Sequence, residues 1–299
     1  MKKNISNLDF KNPENWVISE IIAYQCKKYP EFEIIKYLDG ESWTYKKLYI
    51  HALQAANLIN SLGVKKGDVV LVIIDDPKKF IPLWIGASFL GVIFVAINPS
   101  LKGAILEHQI KVSNPIAIFT EDKFFNETSK VLPKNNDIIT INLKNNFPKK
   151  KISEKLLVKN NNFDTACVMF TSGTSGPSKG VIMPNCHCVL FAIGTIENYK
   201  LKRNDKFYIC LPLFHANGLF MQLLACLLNR TKAVIRDKFS ATNWLHDIIN
   251  NEITHTNMLG AIAAFVTSQP PNKHDKKHKL KLIGSAPLTK ETEIIFRKR

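Results

Sequence analysis

Two uninterrupted apolar runs rich in β-branched residues, Val69 to Ile74 and Val92 to Ile97, limit the folds open to this chain more than any other feature. A strand with one wet face alternates apolar and polar side chains, whereas these runs have no polar face, as strands covered on both sides do. Between them Phe80 to Leu90 is long enough for a helix, and Gly91 stands where a left-handed cap ends one. A helix near Ala104 to Val112 and a short strand at Ile116 to Phe119 follow. Strand and helix in turn are the mark of parallel βαβ units, so the predicted class is α/β with mostly parallel sheets.

From Glu121 to Phe163 the chain turns polar around one apolar stretch, Ile138 to Ile141. Alternation then resumes, with strands predicted at Cys167 to Phe170, Phe207 to Leu211, Ala233 to Ile235, Thr254 to Leu259 and Leu280 to Ile283. Helices are predicted from about His187, over Leu219 to Leu228 and over Asn243 to Asn250. The organisation expected is an α/β subdomain over residues 1–163, with a polar linker from about 121, and a second, partial α/β subdomain over 164–299. Leu288 to Arg299 opens as a helix and stops at Arg297, Lys298 and Arg299 without a cap, so the chain is expected to be C-terminally incomplete.

Three other classes are weighed against this. Phe80 to Ile97 has the uncharged length of a membrane span, but Pro82, Gly86 and Gly91 interrupt it and its second half is strand-like, so no integral span is expected. The formal charge of +16 raises nucleic-acid binding, yet the lysines are dispersed and the densest patches, Lys149 to Lys151 and Lys273 to Lys281, lack interleaved aromatics. No nucleic-acid partner is expected. Six cysteines without framework spacing, and an N-terminus without an apolar leader, point to reduced thiols in a cytoplasmic protein.

The chemistry concentrates in Met169 to Val181, where Thr171, Ser172, Gly173, Thr174, Ser175, Gly176, Pro177, Ser178, Lys179 and Gly180 follow a buried strand directly. Glycines let backbone N–H groups converge on phosphate oxygens, hydroxyls add rotatable donors, and a lysine supplies a point charge. A Walker loop is excluded: counted from Gly173, Ser178 stands where the second glycine belongs and Gly180 where Ser or Thr belongs. A flexible linker would need neither the lysine nor the flanking apolar runs.

This loop resembles the signature of the adenylate-forming superfamily, which includes acyl-CoA synthetases, aryl-CoA ligases, luciferases and peptide-synthetase adenylation domains; Ser175 stands where threonine is usual. Leu211 to Gly218, with Pro212 and His215, and Gly284-Ser285-Ala286-Pro287-Leu288 agree with that family in order and spacing. Weaker agreement at Trp43 to Tyr45 and Gly67 to Val70 extends the resemblance over nearly the whole chain.

The resemblance implies the N-terminal large domain of that fold, without its C-terminal lid domain, and an ATP-dependent acyl-CoA ligase using Mg²⁺ and coenzyme A. It implies phosphate contacts from Thr171, Ser172, Gly173, Thr174, Ser175, Gly176 and Lys179, adenine against Gly284, Ser285, Ala286 and Pro287, and a catalytic His215 near the carboxylate. Phe214 to Asn217 leans toward crotonobetaine/carnitine-CoA ligase-like enzymes. The family's Mg²⁺ glutamate, ribose aspartate and catalytic lysine fall in segments that do not occur in these 299 residues. The chain alone is therefore expected to be inactive, as a fragment or as one part of a split enzyme with a C-terminal complementing chain. The alternatives are a nucleotide-binding module without turnover and, behind it, a basic nucleic-acid-binding protein. Neither His274 to His278 nor Cys186-His187-Cys188 has the surroundings of a metal site, so none is assigned.

Overall fold

The computed structural model describes residues 10–133, 137–144, 147–148, 157–171 and 176–299. They form two compact units: Met1–Glu31, Tyr45–Leu190 and Leu213–Ala216 make one, and Phe32–Thr44, Phe191–Pro212 and Asn217–Arg299 the other. Each is α/β, as the apolar runs predict.

In the first unit the sheet runs in the order Ile139–Asn142, Ala117–Thr120, Val69–Ile73, Ile93–Ala96, Thr165–Phe170, Gly180–Pro184. Every neighbouring pair is parallel except the last. Val70, Leu71 and Val72 are fully buried at the centre, which is why their run carries no polar residue. Gly91 adopts φ 64° and its N–H caps the helix Pro77–Leu90. That helix begins earlier than its apolar run, because Asp76 accepts from the Lys78 N–H and Pro77 takes the first position.

Pro82 and Gly86 lie inside this helix, which the sequence placed over Phe80 to Leu90. Gly86 serves packing: a Cβ there would lie 2.7 Å from the Ala56 nitrogen and 2.8 Å from the Ala52 oxygen of the helix Tyr45–Ser61. In the polar stretch after Glu121, Asp122–Val131 is helical. Its Phe124 and Val131 pack on the core around Leu71, Val95 and Ile118. Among the described residues no helix is long and apolar enough to cross a membrane.

In the second unit the order is Leu282–Ala286, His255–Leu259, Lys206–Ile209, Lys232–Ile235, Glu33–Tyr37, Ser42–Thr44, parallel except for the last pair. Tyr208, Val234, Ile248, Ile253 and Met258 form its core. The buried Tyr208 hydroxyl donates to Asp247 Oδ2 at 2.8 Å, and Arg236 Nε donates to the same oxygen at 2.6 Å, so the buried carboxylate is matched.

The continuous helix expected over Leu219 to Leu228 is two pieces, a π-helix at Asn217–Leu224 and a short α-helix at Ala225–Asn229. The wider winding leaves Gly218 against the Pro212 carbonyl, where a Cβ would overlap it. The last strand lies at Leu282–Ala286, later than the expected Leu280 to Ile283, and so carries Gly284 and Ser285 within it. Ser240 caps the helix Ala241–Asn250 and Thr289 caps Lys290–Lys298.

Candidate functional site

The loop Thr171 to Gly180 is the turn of an antiparallel hairpin. Thr165–Phe170 is anchored to the sheet by its parallel partner Ile93–Ala96, with Phe94 opposite Cys167 and Ala96 opposite Met169. On its other side it pairs with Gly180–Pro184, with Phe170 opposite Gly180. The neck closes one residue further: Thr171 N–H donates to the Lys179 carbonyl at 3.0 Å, and Lys179 N–H donates to Thr171 Oγ1 at 3.4 Å. Ser172, Gly173, Thr174 and Ser175 lie outside the described residues.

Thr171, Gly176 and Lys179 are exposed. Gly176 has φ 148°, and a Cβ built there meets nothing within 4 Å among the described residues, so this glycine serves backbone conformation. A narrow neck, a glycine turn and an exposed ammonium at the end of a strand of the parallel sheet suit a phosphate chain, whose oxygens take N–H, O–H and N⁺–H donors. The residues present therefore fit the polyphosphate of ATP. They do not by themselves make a Mg²⁺ site: among the described residues no group of three or more His, Cys, Asp or Glu comes together.

Two residues that the sequence reading passes over hold this loop from outside. The helix Gly103–Ser113 places His108 Nε2 2.9 Å from the Ser178 carbonyl oxygen, and Gln109 Nε2 donates to Ser178 Oγ at 3.0 Å. Gln109 is buried, at 5% exposure, between the core residues Leu106 and Ile110. A polar residue on the buried face of an otherwise amphipathic helix is the one sequence signal that marks it.

The second candidate cluster lies at the carboxyl end of the parallel pair His255–Leu259 and Leu282–Ala286, in register from His255 opposite Leu282 to Leu259 opposite Ala286. Carboxyl ends of parallel strands are where ligands bind in open α/β sheets. Gly284 is opposite Asn257, and a Cβ on it would overlap the Tyr199 hydroxyl. Tyr199 stacks on Phe207 with centroids 6.2 Å apart and rings 5° from parallel, and burial raises its pKa above the ordinary phenol value. Ser285 Oγ donates to the Pro287 carbonyl at 3.4 Å, and the Ala286–Pro287 peptide is cis. A Cβ on Gly260 would stand 2.5 Å from that same carbonyl. Gly284, Ser285, Ala286 and Pro287 are thus gathered at one tightly packed strand end.

Beside it, fully buried Gln222 on the π-helix donates to Asn217 Oδ1 at 3.0 Å and to the Asn257 carbonyl at 3.4 Å. His215 belongs to the first unit, in the segment Leu213–Ala216, next to Phe214 with ring centroids 4.5 Å apart. Desolvation holds its imidazole below the ordinary pKa, which favours the neutral form.

A profile of the family described as AMP-binding enzyme matches residues 22–299. Among curated proteins, long-chain fatty acid transport protein 6 of Mus musculus is 24% identical over 89% of this chain and 45% of its own length. 4-Coumarate--CoA ligase 3 of Arabidopsis thaliana is 27% identical over 87% of this chain and 49% of its own length. The chain spans about half the length of these relatives. Among solved structures, ATP-bound MatB from Rhodopseudomonas palustris superposes with a TM-score of 0.81 at 18% identity, over 94% of this chain and 57% of that one. The inhibitor-bound N-terminal domain of FACL13 from Mycobacterium tuberculosis gives 0.80 at 19% identity, over 94% and 73%.

Proposed function

The chain belongs to the AMP-binding enzyme family, and on that premise we propose that it carries the ATP-holding part of an acyl-CoA ligase. The observation that carries this reading is the hairpin neck of Thr171 and Lys179, which presents an exposed lysine and Gly176 at the end of a strand of the parallel sheet. In the proposed reaction a substrate carboxylate oxygen attacks the α-phosphorus of ATP and pyrophosphate leaves. The thiol of coenzyme A then attacks the acyl carbon and releases AMP. The family resemblance supports Mg²⁺ as the ion accompanying the triphosphate; none of the steps assigned to this chain's residues passes through it.

Little covalent chemistry falls to these residues. Lys179 and the loop donors neutralise and orient the β- and γ-phosphates, and such positioning supplies most of the acceleration in phosphate-centred transfer. Gly284, Ser285, Ala286 and Pro287 offer a backbone surface for adenine, and His215, kept neutral, accepts or donates one hydrogen bond near the carboxylate. The relatives are named for long-chain fatty acids and for 4-coumarate; the substrate class assigned is accordingly a small-molecule carboxylate. Six free cysteines support a reducing, cytoplasmic setting.

Because the chain spans about half of its relatives, turnover is assigned to the whole protein and ATP binding to these 299 residues. Equilibrium ATP binding and carboxylate-dependent ATP–pyrophosphate exchange, measured on the chain, test both assignments. Saturable binding without exchange is expected. No ATP binding would remove the phosphate site, and exchange with any carboxylate would show that these residues suffice for adenylation.

A further inference from the structure

Building on that phosphate-site reading, we propose that His108 and Gln109 are positioning residues for the phosphate loop. By holding Ser178 they fix the backbone that presents Lys179. The helix that carries them is itself immobilised, since Leu106 and Ile110 are buried in the core around Leu71, Val95 and Ile118. From this base two bonds reach the same loop residue, one to its main chain and one to its side chain. A carbonyl oxygen only accepts, so the contact at Ser178 O sets the His108 tautomer with its proton on Nε2. The Gln109 amide bonds Ser178 Oγ in either orientation, because a hydroxyl both donates and accepts.

The geometry of the loop shows what these bonds supply. At Gly176 nothing among the described residues stands within 4 Å of a Cβ, whereas Gly180 re-enters the sheet with its Cβ position 2.8 Å from Val168 Cγ1. Lys179 lies between the neck bond to Thr171 and the tether at Ser178. Without the tether the neck bonds alone would have to fix the direction of the lysine. Gln109 Oε1 is buried with no hydrogen-bond partner among the described residues, so the side chain is oriented by its bond to Ser178 rather than by satisfaction at both ends. Neither residue is assigned a contact with ATP.

The test uses the 299-residue chain with Ser178→Ala, Gln109→Ala and His108→Phe, the last keeping an aromatic ring without the nitrogen. Two quantities are read: amide hydrogen exchange over residues 176–183, and the equilibrium dissociation constant for ATP. Each variant is expected to exchange on the order of tenfold faster in that segment, with the strands Val69–Ile73 and Ile93–Ala96 unchanged. Each is expected to bind ATP roughly three- to tenfold more weakly, and the Gln109→Ala/Ser178→Ala double variant no more weakly than the worse single one, because both remove one bond.

Unchanged exchange, ATP affinity equal to wild type, or additive losses in the double variant would each overturn the proposal. Ser178 is only half-buried, so Ser178→Ala keeps the test decisive where a helix variant fails to fold. A wild-type chain that binds no ATP would overturn the phosphate-site reading and this inference together. That outcome is distinct from failure of the tether alone, in which wild type binds ATP, Lys179→Ala does not, and the three variants match wild type.

Discussion

Glycine does opposite work in the two candidate clusters. In the loop, Gly176 sits at φ 148° with nothing among the described residues within 4 Å of a Cβ, and what the position needs is a backbone conformation that other residues avoid. At the strand end, Gly284 and Gly260 are needed because Tyr199 and the Pro287 carbonyl occupy the space a side chain would take. The loop is held by a few hydrogen bonds at its neck and at Ser178, and the strand end by close packing. A motif rich in glycine therefore does not reveal whether its segment is rigid through contact or shaped by conformation. The burial around it decides that.

Substitution separates the two kinds of glycine. Gly284→Ala is expected to have the largest effect, about 3 kcal/mol of lost stability in urea unfolding, the upper part of the range for overpacking. A Cβ at Gly284 would overlap the hydroxyl of Tyr199, whose ring stacks on Phe207 and would have to shift. Gly176→Ala is expected to cost about 1 kcal/mol, from backbone strain alone. Equal losses at the two positions would erase the distinction.

The smallest expected effect is a pH dependence confined to the strand-end unit. Burial holds the His255 pKa below its ordinary 6.5; Asp205, at 3.8 Å, raises it in part and Lys281 lowers it further. The folded state thus favours neutral imidazole while the unfolded chain takes up protons first as pH falls. Stability from this group is present above pH 6.5 and is lost as pH drops through the lowered folded value. Protection against amide exchange over His255–Leu259, corrected for the intrinsic rate at each pH, should fall below pH 6.5 while that of the paired strands Thr165–Phe170 and Gly180–Pro184 stays unchanged. His255→Gln should flatten the response. A profile as steep in the variant as in wild type would assign the acid sensitivity elsewhere.

The α/β class was legible because buried parallel strands leave continuous apolar runs, and Val69–Ile73 is such a run. Gly180–Pro184 was not read as a strand, since it is an edge strand with Ile182 64% exposed and no buried pattern to betray it. The helices Ile18–Lys28 and Tyr45–Ser61 are absent from the sequence reading, although Ile18, Ile21 and Ile22 stand at helical spacing. The π-helix at Asn217–Leu224 was beyond reach, because its apolar content fits an ordinary helix equally well. At the site, the motifs named Thr171, Lys179 and the Gly284 strand end as candidates, because the residues of each motif are neighbours in sequence. His108 and Gln109 were hidden because their partner Ser178 is about seventy residues away, and helical periodicity names no partner.

If Thr171 to Gly180 holds the phosphates of ATP, the affinity of the chain for ATP depends on Lys179. The side chain is exposed, so Lys179→Ala should leave the unfolding midpoint unchanged. A charge-assisted bond to phosphate contributes about 1.5 to 3 kcal/mol, so the variant should bind ATP at least about tenfold more weakly than wild type. Equal affinity in the two proteins would contradict the account.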